Sequence, residues 1–265
     1  MSYSLRIPDF QMAGDSDTTV FLLHGAYGSK DYFRPEIEAL VRAGLRVVAW
    51  DAPGYGLSAL PEQGLSIEGL AEAAARLIEC MGSRTNVVLG HSMGGIVAPA
   101  VTLLLPDTVH GLVISATVAS FSQKSETDKK NFLAERVDPL KHGKTFRETA
   151  GAVIDSMFAP GSSGPQVELV REVALGTSKE TFIAAIGAIV NYEGVQALRS
   201  VRVPTLLLAG LHDKVGRPVG MQNIKTSFIP HAEFHVLPNS GHYGFAEEPE
   251  LFNQHLLAFI RQQVL

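Results

Sequence analysis

The stretch Gly90-His91-Ser92-Met93-Gly94 has the residue types and spacing of a catalytic turn. It fits the pattern Gly-x-Ser-x-Gly, in which a serine on a sharp strand-to-helix turn projects its hydroxyl from the edge of a sheet. The glycines on either side of the serine let the strand and the helix cross closely. A helix beginning at Met93 would also point backbone N–H groups at the hydroxyl, which favours developing negative charge. The stretch predicts a nucleophilic serine; a plain Gly/Ser connection between strand and helix is the structural alternative.

Short apolar runs recur along the chain and predict the strands that would position this serine. They cover residues 19–25, 45–51, 86–92, 110–116, 204–210 and 233–239. Amphipathic helical patterns cover residues 31–44, 66–82 and 247–263. Strands that alternate with helices and are apolar on both faces are typical of parallel sheets. The predicted fold class is α/β, with a doubly wound, mostly parallel sheet and flanking helices.

The alternation of strands and helices stops between residues 118 and 200. This stretch begins polar and continues as apolar helical patches, with no run that resembles the strands elsewhere. We expect a helical cap or lid inserted into the sheet domain. The predicted organisation is an α/β core of residues 1–117 and 201–265, and a cap of residues 118–200.

Composition and charge exclude several classes of function. Of 265 residues, 46% are hydrophobic and 18% are charged, which suits a globular protein able to bury a core. A net charge of −5 argues against a nucleic-acid-binding surface and against a polybasic membrane anchor. The single cysteine excludes an internal disulfide and fits a reducing compartment. Because the first residues lack a basic start followed by an apolar segment, a cytoplasmic location is the expectation.

The uncharged run Val87–Leu105 has nearly the length of a membrane span, which needs about 20 residues. Three glycines and Pro99 interrupt it, with His91 and Ser92 near its middle. Its first residues are short and β-branched, as in a buried strand. We therefore expect a strand, a turn and a buried helix here, and no contact with a membrane.

Five segments resemble landmarks of the α/β-hydrolase fold superfamily, in that superfamily's order and spacing over essentially the whole chain. They are HGAYG at 24–28, DAPGYGLS at 51–58, GHSMGG at 90–95, GLHDKVGRP at 210–218 and NSGHYGFAEEP at 239–249. The resemblance is to cap-bearing members with a serine nucleophile, such as esterases and lactonases. It implies the α/β-hydrolase fold for the sheet predicted above.

On these landmarks the resemblance implies a catalytic triad of Ser92, Asp213 and His242. Asp213 follows an apolar strand that ends at the same edge of the sheet as the serine, and His242 follows the last predicted strand. A serine hydroxyl is a weak nucleophile near neutral pH. It needs an imidazole to take its proton and a carboxylate to fix the imidazole tautomer.

The resemblance also implies an oxyanion hole formed by two backbone N–H groups, those of Met93 and Ala26. Candidate pocket residues are apolar or aromatic, and most of them lie in the predicted cap. They are Tyr27, Phe121, Met157, Phe158, Phe182, Ile186, Tyr192 and Tyr243. Their character predicts a substrate with a mainly hydrophobic, uncharged portion.

The predicted function is cofactor-free hydrolysis of a carboxylic ester, a lactone or a related acyl bond in a small molecule, through an acyl-enzyme. The sequence has no Gly-x-Gly-x-x-Gly or P-loop pattern, so no nucleotide cofactor is expected. The pair His231 and His235 has the spacing of a helical metal site. It falls in a predicted strand, however, where four residues span about 13 Å, so no metal site is expected. The expected partner is a small-molecule substrate, without nucleic acid or membrane, and no sequence feature indicates an oligomeric state.

Other functions stay open because one fold hosts unlike chemistries. By resemblance they include carbon–carbon bond hydrolysis in aromatic degradation, perhydrolysis and cofactor-free dioxygenation. The aromatic-degrading hydrolases usually carry tryptophan just after the histidine, where this chain has Tyr243, and its only tryptophan is Trp50. The serine argues against epoxide hydrolases and haloalkane dehalogenases, which use an aspartate nucleophile. A non-catalytic ligand-binding protein is the remaining alternative.

Several further residues could be mistaken for catalytic groups, and for each a structural role is expected. Asp51 should form part of a turn, His24 should shape the loop before Ala26, and His91 should pack away from the serine. Cys80 lies in a helical pattern and should be a small core residue.

Overall fold

A seven-stranded sheet forms the centre of the protein, described by a computed structural model for residues 7–121 and 124–265. The strands are β1 (Phe10–Ala13), β2 (Thr18–Leu23), β3 (Arg46–Trp50), β4 (Thr85–His91), β5 (Gly111–Ser115), β6 (Thr205–Gly210) and β7 (Glu233–Leu237). Their spatial order is β1-β3-β2-β4-β5-β6-β7. Strand β1 is antiparallel to β3, and all the other pairs are parallel. The predicted fold class is therefore confirmed.

Helices connect and flank the strands. They are α1 (Arg34–Arg42), α2 (Ile67–Met81), α3 (Met93–Leu104), α4 (Glu126–Arg136), α5 (Asp138–Lys141), α6 (Phe146–Met157), α7 (Pro165–Leu175), α8 (Lys179–Asn191), α9 (Val195–Ser200), α10 (Pro218–Ser227), α11 (Gly244–Glu247) and α12 (Pro249–Phe259). A 3₁₀ turn, Lys30–Phe33, precedes α1, and a π-helical turn, Ile260–Val264, follows α12.

Helix α2 begins and ends where its sequence indicates. The Ser66 side chain accepts a hydrogen bond from the Gly69 N–H at 3.1 Å, which satisfies one of the free amides of the first turn. Gly82 follows the last turn with φ +41, a left-handed conformation that favours glycine. Ile67, Leu70 and neighbouring alanines are buried along one face. Local capping and an apolar stripe were thus sufficient to predict this helix.

The uncharged run from residue 87 to 105 divides into β4 and α3, as its glycines and proline predicted. Residues of both elements lie in the hydrophobic core. Within the described residues, no single helix has both the length and the apolar character to cross a membrane; α7 and α8 reach them only together, across a 97° bend.

The segment between β5 and β6 contains six helices, α4 to α9, and no strand among its described residues. The sequence predicted a helical segment here because it contains no strand-like run. Helix α4 has no fully buried residue, whereas α8 buries much of its length, including Phe182 and Ile186.

Glu36 on α1 is a buried carboxyl group whose two oxygens have no hydrogen-bond partner among the described residues. Burial raises its pKa well above the ordinary value of 4.5. The folded protein therefore keeps this proton to a higher pH than the unfolded chain does. The stability linked to that proton is present below pH 4.5 and is lost as the pH rises toward the folded pKa.

We expect Glu36→Gln to be more stable than the wild type at pH 7.5, and the two proteins to be equally stable near pH 4. The difference should grow by up to about 1.4 kcal/mol per pH unit between the two pKa values. A stability change of 1 kcal/mol shifts the unfolding temperature by about 2–4 °C, so thermal unfolding at a series of pH values would resolve this difference. Glu38→Gln, at an exposed site of the same helix, is the control. A stability difference that does not vary with pH would contradict a buried, protonated Glu36.

Candidate active site

Ser92 occupies a strained turn between the end of β4 and the start of α3. Its φ of 54° and ψ of −111° lie in a region that residues with a side chain rarely adopt. A Cβ on Gly90 would lie 2.0 Å from the Gly94 carbonyl oxygen, and a Cβ on Gly94 would lie 2.1 Å from the Leu23 carbonyl oxygen. Any side chain at these two positions would therefore clash with backbone, and the spacing of the motif follows from this close crossing.

The end of β5 and the residues after it hold the turn in place. The Ser92 N–H donates to the Ser115 carbonyl at 2.9 Å, and the Thr117 hydroxyl donates to the Ser92 carbonyl at 2.7 Å. Both partners belong to the end of β5 and the residues after it. The backbone of the serine is thus fixed on two sides while its side chain faces a cavity.

His242 and Asp213 complete a hydrogen-bonded chain with Ser92. His242 Nε2 lies 3.0 Å from Ser92 Oγ, and His242 Nδ1 lies 2.8 Å from Asp213 Oδ2. The three residues come from the carboxyl ends of β4, β6 and β7, although 150 residues separate the serine from the histidine. The sequence predicted all three, and the fold brings them together.

The second carboxylate oxygen of Asp213 is also fully engaged. Oδ1 accepts hydrogen bonds from the N–H groups of Val215 at 2.7 Å and Gly216 at 3.0 Å. Burial acts to raise the pKa of this carboxyl, but the charge and hydrogen bond of His242, with the two amides, lower the pKa below its ordinary value. The group is therefore a fixed anion beside the imidazole.

Ala26 and Met93 lie beside the same cavity as Ser92. Both residues line it, and neither N–H donates to a protein acceptor within the part of the chain that the structure describes. Gly25 allows the loop after β2 to approach Ser92, because a Cβ at Gly25 would lie 3.0 Å from the Ser92 Cβ. Two free donors beside a nucleophile can stabilise a developing oxyanion.

His24 holds the loop that carries Ala26. Its Nε2 accepts the Ala52 N–H at 3.0 Å, and its Nδ1 donates to the Gly25 carbonyl at 2.8 Å. Burial lowers its pKa to about 4, so the ring is neutral near pH 7. This loop-shaping position is the one expected from the sequence.

Four of the predicted pocket residues lie on the wall of the cavity beside Ser92. They are Tyr27, Phe121, Met157 and Ile186. The free volume of this cavity is about 40 Å³, which is room for only a few water-sized groups. The wall is apolar apart from the catalytic candidates, Thr117, the Tyr27 hydroxyl and one cation, Arg136. Sequence reasoning missed Arg136 because a charged residue in a polar helix pattern normally faces solvent.

The other four predicted pocket residues lie outside this wall. Phe182 packs behind Tyr27, with ring centroids 4.5 Å apart. Phe158 and Tyr243 pack on each other at 5.0 Å. Tyr192 faces a separate cavity. Apolar character predicted their burial, but it could not tell which side of the aromatic layer faces the serine.

The remaining polar candidates have structural contacts. Asp51 is buried and accepts hydrogen bonds from the backbone and the ammonium group of Lys30. His231 bonds the Val203 carbonyl at 3.0 Å, while the ring of His235 stacks on His255 at 4.0 Å.

Cys80 is exposed, so its assignment to the core was wrong. The side chain lies on the solvent face of α2, whose apolar stripe passes through Leu77 and Ile78 instead. A small, uncharged residue in a helical pattern did not reveal this orientation.

Glu247 on α11 is a further site residue that the sequence did not single out. Its Oε1 accepts the Tyr243 N–H at 3.0 Å, and its Oε2 accepts the Gly241 N–H at 3.0 Å. These are the two amides on either side of His242. One carboxylate thus fixes the backbone on both sides of the histidine.

We expect Glu247→Gln to lower kcat by about 10- to 100-fold, since an amide group would face N–H donors and the histidine would lose its fixed position. The same carboxylate also accepts bonds from the Ala159 N–H at 2.7 Å and the Ser162 hydroxyl at 2.6 Å, so thermal stability should fall as well. Kinetics with a small ester at temperatures well below unfolding would measure the effect. Glu250→Gln, on the exposed start of α12, is the control. An unchanged kcat in the folded Glu247→Gln variant would show that the Glu247 carboxylate does not position His242.

A seven-stranded, mostly parallel sheet with flanking helices is the architecture of the α/β hydrolases. A sequence profile described as the alpha/beta hydrolase family matches residues 20–255, and the chain belongs to this family. The profile begins within β2 and covers β3 to β7 completely.

Individual relatives are similar over almost their whole length. The bifunctional esterase/perhydrolase DCH of Acinetobacter calcoaceticus is 28% identical over 255 residues, which cover 91% of each chain. A 2-hydroxy-6-oxononadienedioate/2-hydroxy-6-oxononatrienedioate hydrolase of a Pseudomonas species is 26% identical, over 94% of this chain and 89% of the relative. The solved structure of a thermophilic esterase from Thermogutta terrifontis is 26% identical with a TM-score of 0.83, over 97% of this chain and 94% of that one. The protein is therefore an enzyme of the α/β-hydrolase type, and the reaction names of its relatives differ.

Proposed function

We propose that this enzyme is a serine hydrolase that cleaves a carboxylic ester, a lactone or a related acyl bond in a mainly apolar small molecule. The observation that carries the proposal is the continuous chain from Ser92 Oγ to His242 Nε2 at 3.0 Å and from His242 Nδ1 to Asp213 Oδ2 at 2.8 Å. Both distances are within hydrogen-bond range, so His242 can take the serine proton while Asp213 orients the ring.

In the proposed acylation, His242 takes the proton of the Ser92 hydroxyl as the oxygen attacks the substrate carbonyl. Asp213 stabilises the resulting imidazolium. The carbonyl oxygen becomes an oxyanion that accepts hydrogen bonds from the Ala26 and Met93 amides. Collapse of this intermediate breaks the bond to the leaving alcohol, which receives the proton from the imidazolium.

In the proposed deacylation, water replaces the alcohol. His242 takes a proton from the water as its oxygen attacks the acyl carbon, and the same two amides stabilise the second oxyanion. The bond to Ser92 Oγ then breaks, the serine recovers its proton from the imidazolium, and the carboxylic acid leaves. The reaction needs only water besides the substrate.

Residues 118–200 are proposed as the cap over this site. Phe121, Arg136, Met157 and Ile186 come from that segment, and all four line the cavity beside Ser92. Because the cavity is small, a short acyl group fits it best, and longer groups would require the cap helices to move.

Carbon–carbon bond hydrolysis is the second candidate, supported by the likeness to the Pseudomonas hydrolase. It uses the same serine but a ketone in place of an ester. Tyr243 stands where the aromatic-degrading enzymes usually have tryptophan, and its ring packs against Phe158 rather than lining the cavity. This difference favours the ester.

A substrate panel separates the candidates. Purified enzyme would be assayed with a short activated ester, a small lactone and a vinylogous diketone of the type that carbon–carbon hydrolases cleave. The proposal expects turnover of the ester or the lactone at a kcat/KM well above that for the diketone. Cleavage of the diketone alone would favour the second candidate, and absence of turnover with all three would leave a binding protein as the better explanation.

A further inference from the structure

One cation reaches the otherwise apolar cavity beside Ser92. Arg136 is the last residue of α4, and its side chain is 12% exposed although it carries a full charge. Within the described residues it is the only Lys, Arg, Asp or Glu side chain on the cavity wall. Arg136 therefore lies where a molecule bound in this cavity can contact it.

The guanidinium keeps unused hydrogen-bonding capacity. Its Nη1 contacts the Glu135 carboxylate at 3.0 Å, but the Glu135 side chain is 70% exposed and the pair therefore neutralises the charge only weakly. No partner for Nε or Nη2 occurs among the described residues. The central carbon of the guanidinium lies over the Phe132 ring, 4.1 Å from its centroid, and this contact restrains its position.

Tyr27 adds a neutral donor to the same wall. Its hydroxyl has no hydrogen-bond partner in the part of the chain that the structure describes. Burial raises its pKa, and the nearby positive charge of Arg136 opposes that rise. Tyr27 and Arg136 line the same cavity, and an alkyl or aryl group bound there could not form hydrogen bonds with either side chain.

A carboxylate matches both groups, since a guanidinium binds its two oxygens in a planar pair of hydrogen bonds and a phenol can donate a third. We propose that the substrate carries a carboxylate, joined through a short apolar spacer to the ester or acyl bond that Ser92 attacks, and that Arg136 is the residue that selects for it. This inference rests on the proposed function of the serine. It changes the expected substrate from an uncharged one to an anion with an apolar centre.

Matched esters that differ only in charge test the proposal. Monoethyl succinate and ethyl levulinate have the same shape, but a methyl group in the second replaces one carboxylate oxygen. Acetoxyacetate and acetoxyacetone form the same kind of pair with the carboxylate on the alcohol side. Release of ethanol or acetate would give kcat/KM for each ester with wild type, Arg136→Met, Arg136→Lys and Lys130→Gln. Lys130 is an exposed cation on the same helix and controls for general electrostatic attraction.

We expect wild type to prefer the anion in at least one pair by tenfold or more, mainly through KM. Arg136→Met should bring that preference to within about twofold by lowering kcat/KM for the anion far more than for its neutral twin, and Arg136→Lys should keep part of it. Lys130→Gln should keep all of it. Equal kcat/KM for anion and neutral twin in wild type, or a preference that survives in Arg136→Met, would overturn the inference while ester hydrolysis itself stands. If none of the four esters is hydrolysed, the proposed function fails together with the inference built on it.

Discussion

Replacing Ser92 with alanine should abolish ester hydrolysis, with a loss in kcat of the order of 10⁴- to 10⁶-fold. The loss follows from removal of the proposed nucleophilic oxygen, while the backbone amides and the cavity stay in place. A φ of 54° strains the backbone of alanine and serine equally. The turn should therefore keep its conformation, and the unfolding temperature of the protein should not change. Steady-state kinetics and thermal unfolding of the same preparation would measure both.

Two variants sharpen the Ser92→Ala experiment. Ser227→Ala removes an exposed hydroxyl at the end of α10 and should be fully active. Ser92→Gly should be as inactive as the alanine variant but more stable than it, because glycine adopts a positive φ without strain. Activity close to wild type in Ser92→Ala would contradict the proposed mechanism.

Asp213→Asn should lower kcat by about 10³- to 10⁴-fold with little change in KM. An asparagine can still accept the Val215 and Gly216 amides through its oxygen, so the loop should remain folded. Its NH₂ group would then face His242 Nδ1 and favour the tautomer that carries the proton on Nε2. A protonated Nε2 cannot take the proton of Ser92.

The charge of Asp213 matters as well as its geometry. Its lowered pKa keeps the carboxylate ionised through neutral pH, so it can stabilise the imidazolium at the pH of the assay. Asp107→Asn, an exposed substitution of the same kind, should leave kcat unchanged. A folded Asp213→Asn variant with a kcat within tenfold of wild type would show that His242 does not depend on this carboxylate.

The sequence predicted the buried parts of the fold well. Six strands were predicted because each falls in a short, mainly apolar segment, and α2 was predicted because its cap, apolar stripe and terminal glycine all agree. Strand β1 was missed because its four residues are only partly buried and show no clear pattern. Helix α10 was missed as well, since its sequence is mostly polar with few buried positions.

The positions of the three triad candidates could be predicted because each follows a strand at the same edge of the sheet. The contacts that tune the site could not. Glu247 bonds two amides that only the folded loop brings together, and Arg136 turns into the cavity from a helix whose pattern indicates a solvated surface. Both depend on three-dimensional neighbours that neither periodicity nor motif spacing encodes.

Covalent labelling of Ser92 by a fluorophosphonate is the most direct test of the central claim, that this side chain is the activated nucleophile. The probe reacts with serines whose proton is withdrawn by a neighbouring base. Intact mass should show one adduct per chain, and peptide mapping should place it on Ser92, with labelling strongly slowed in Asp213→Asn and absent in Ser92→Ala. An adduct on another residue, or a wild-type enzyme that hydrolyses esters without being labelled, would contradict the claim.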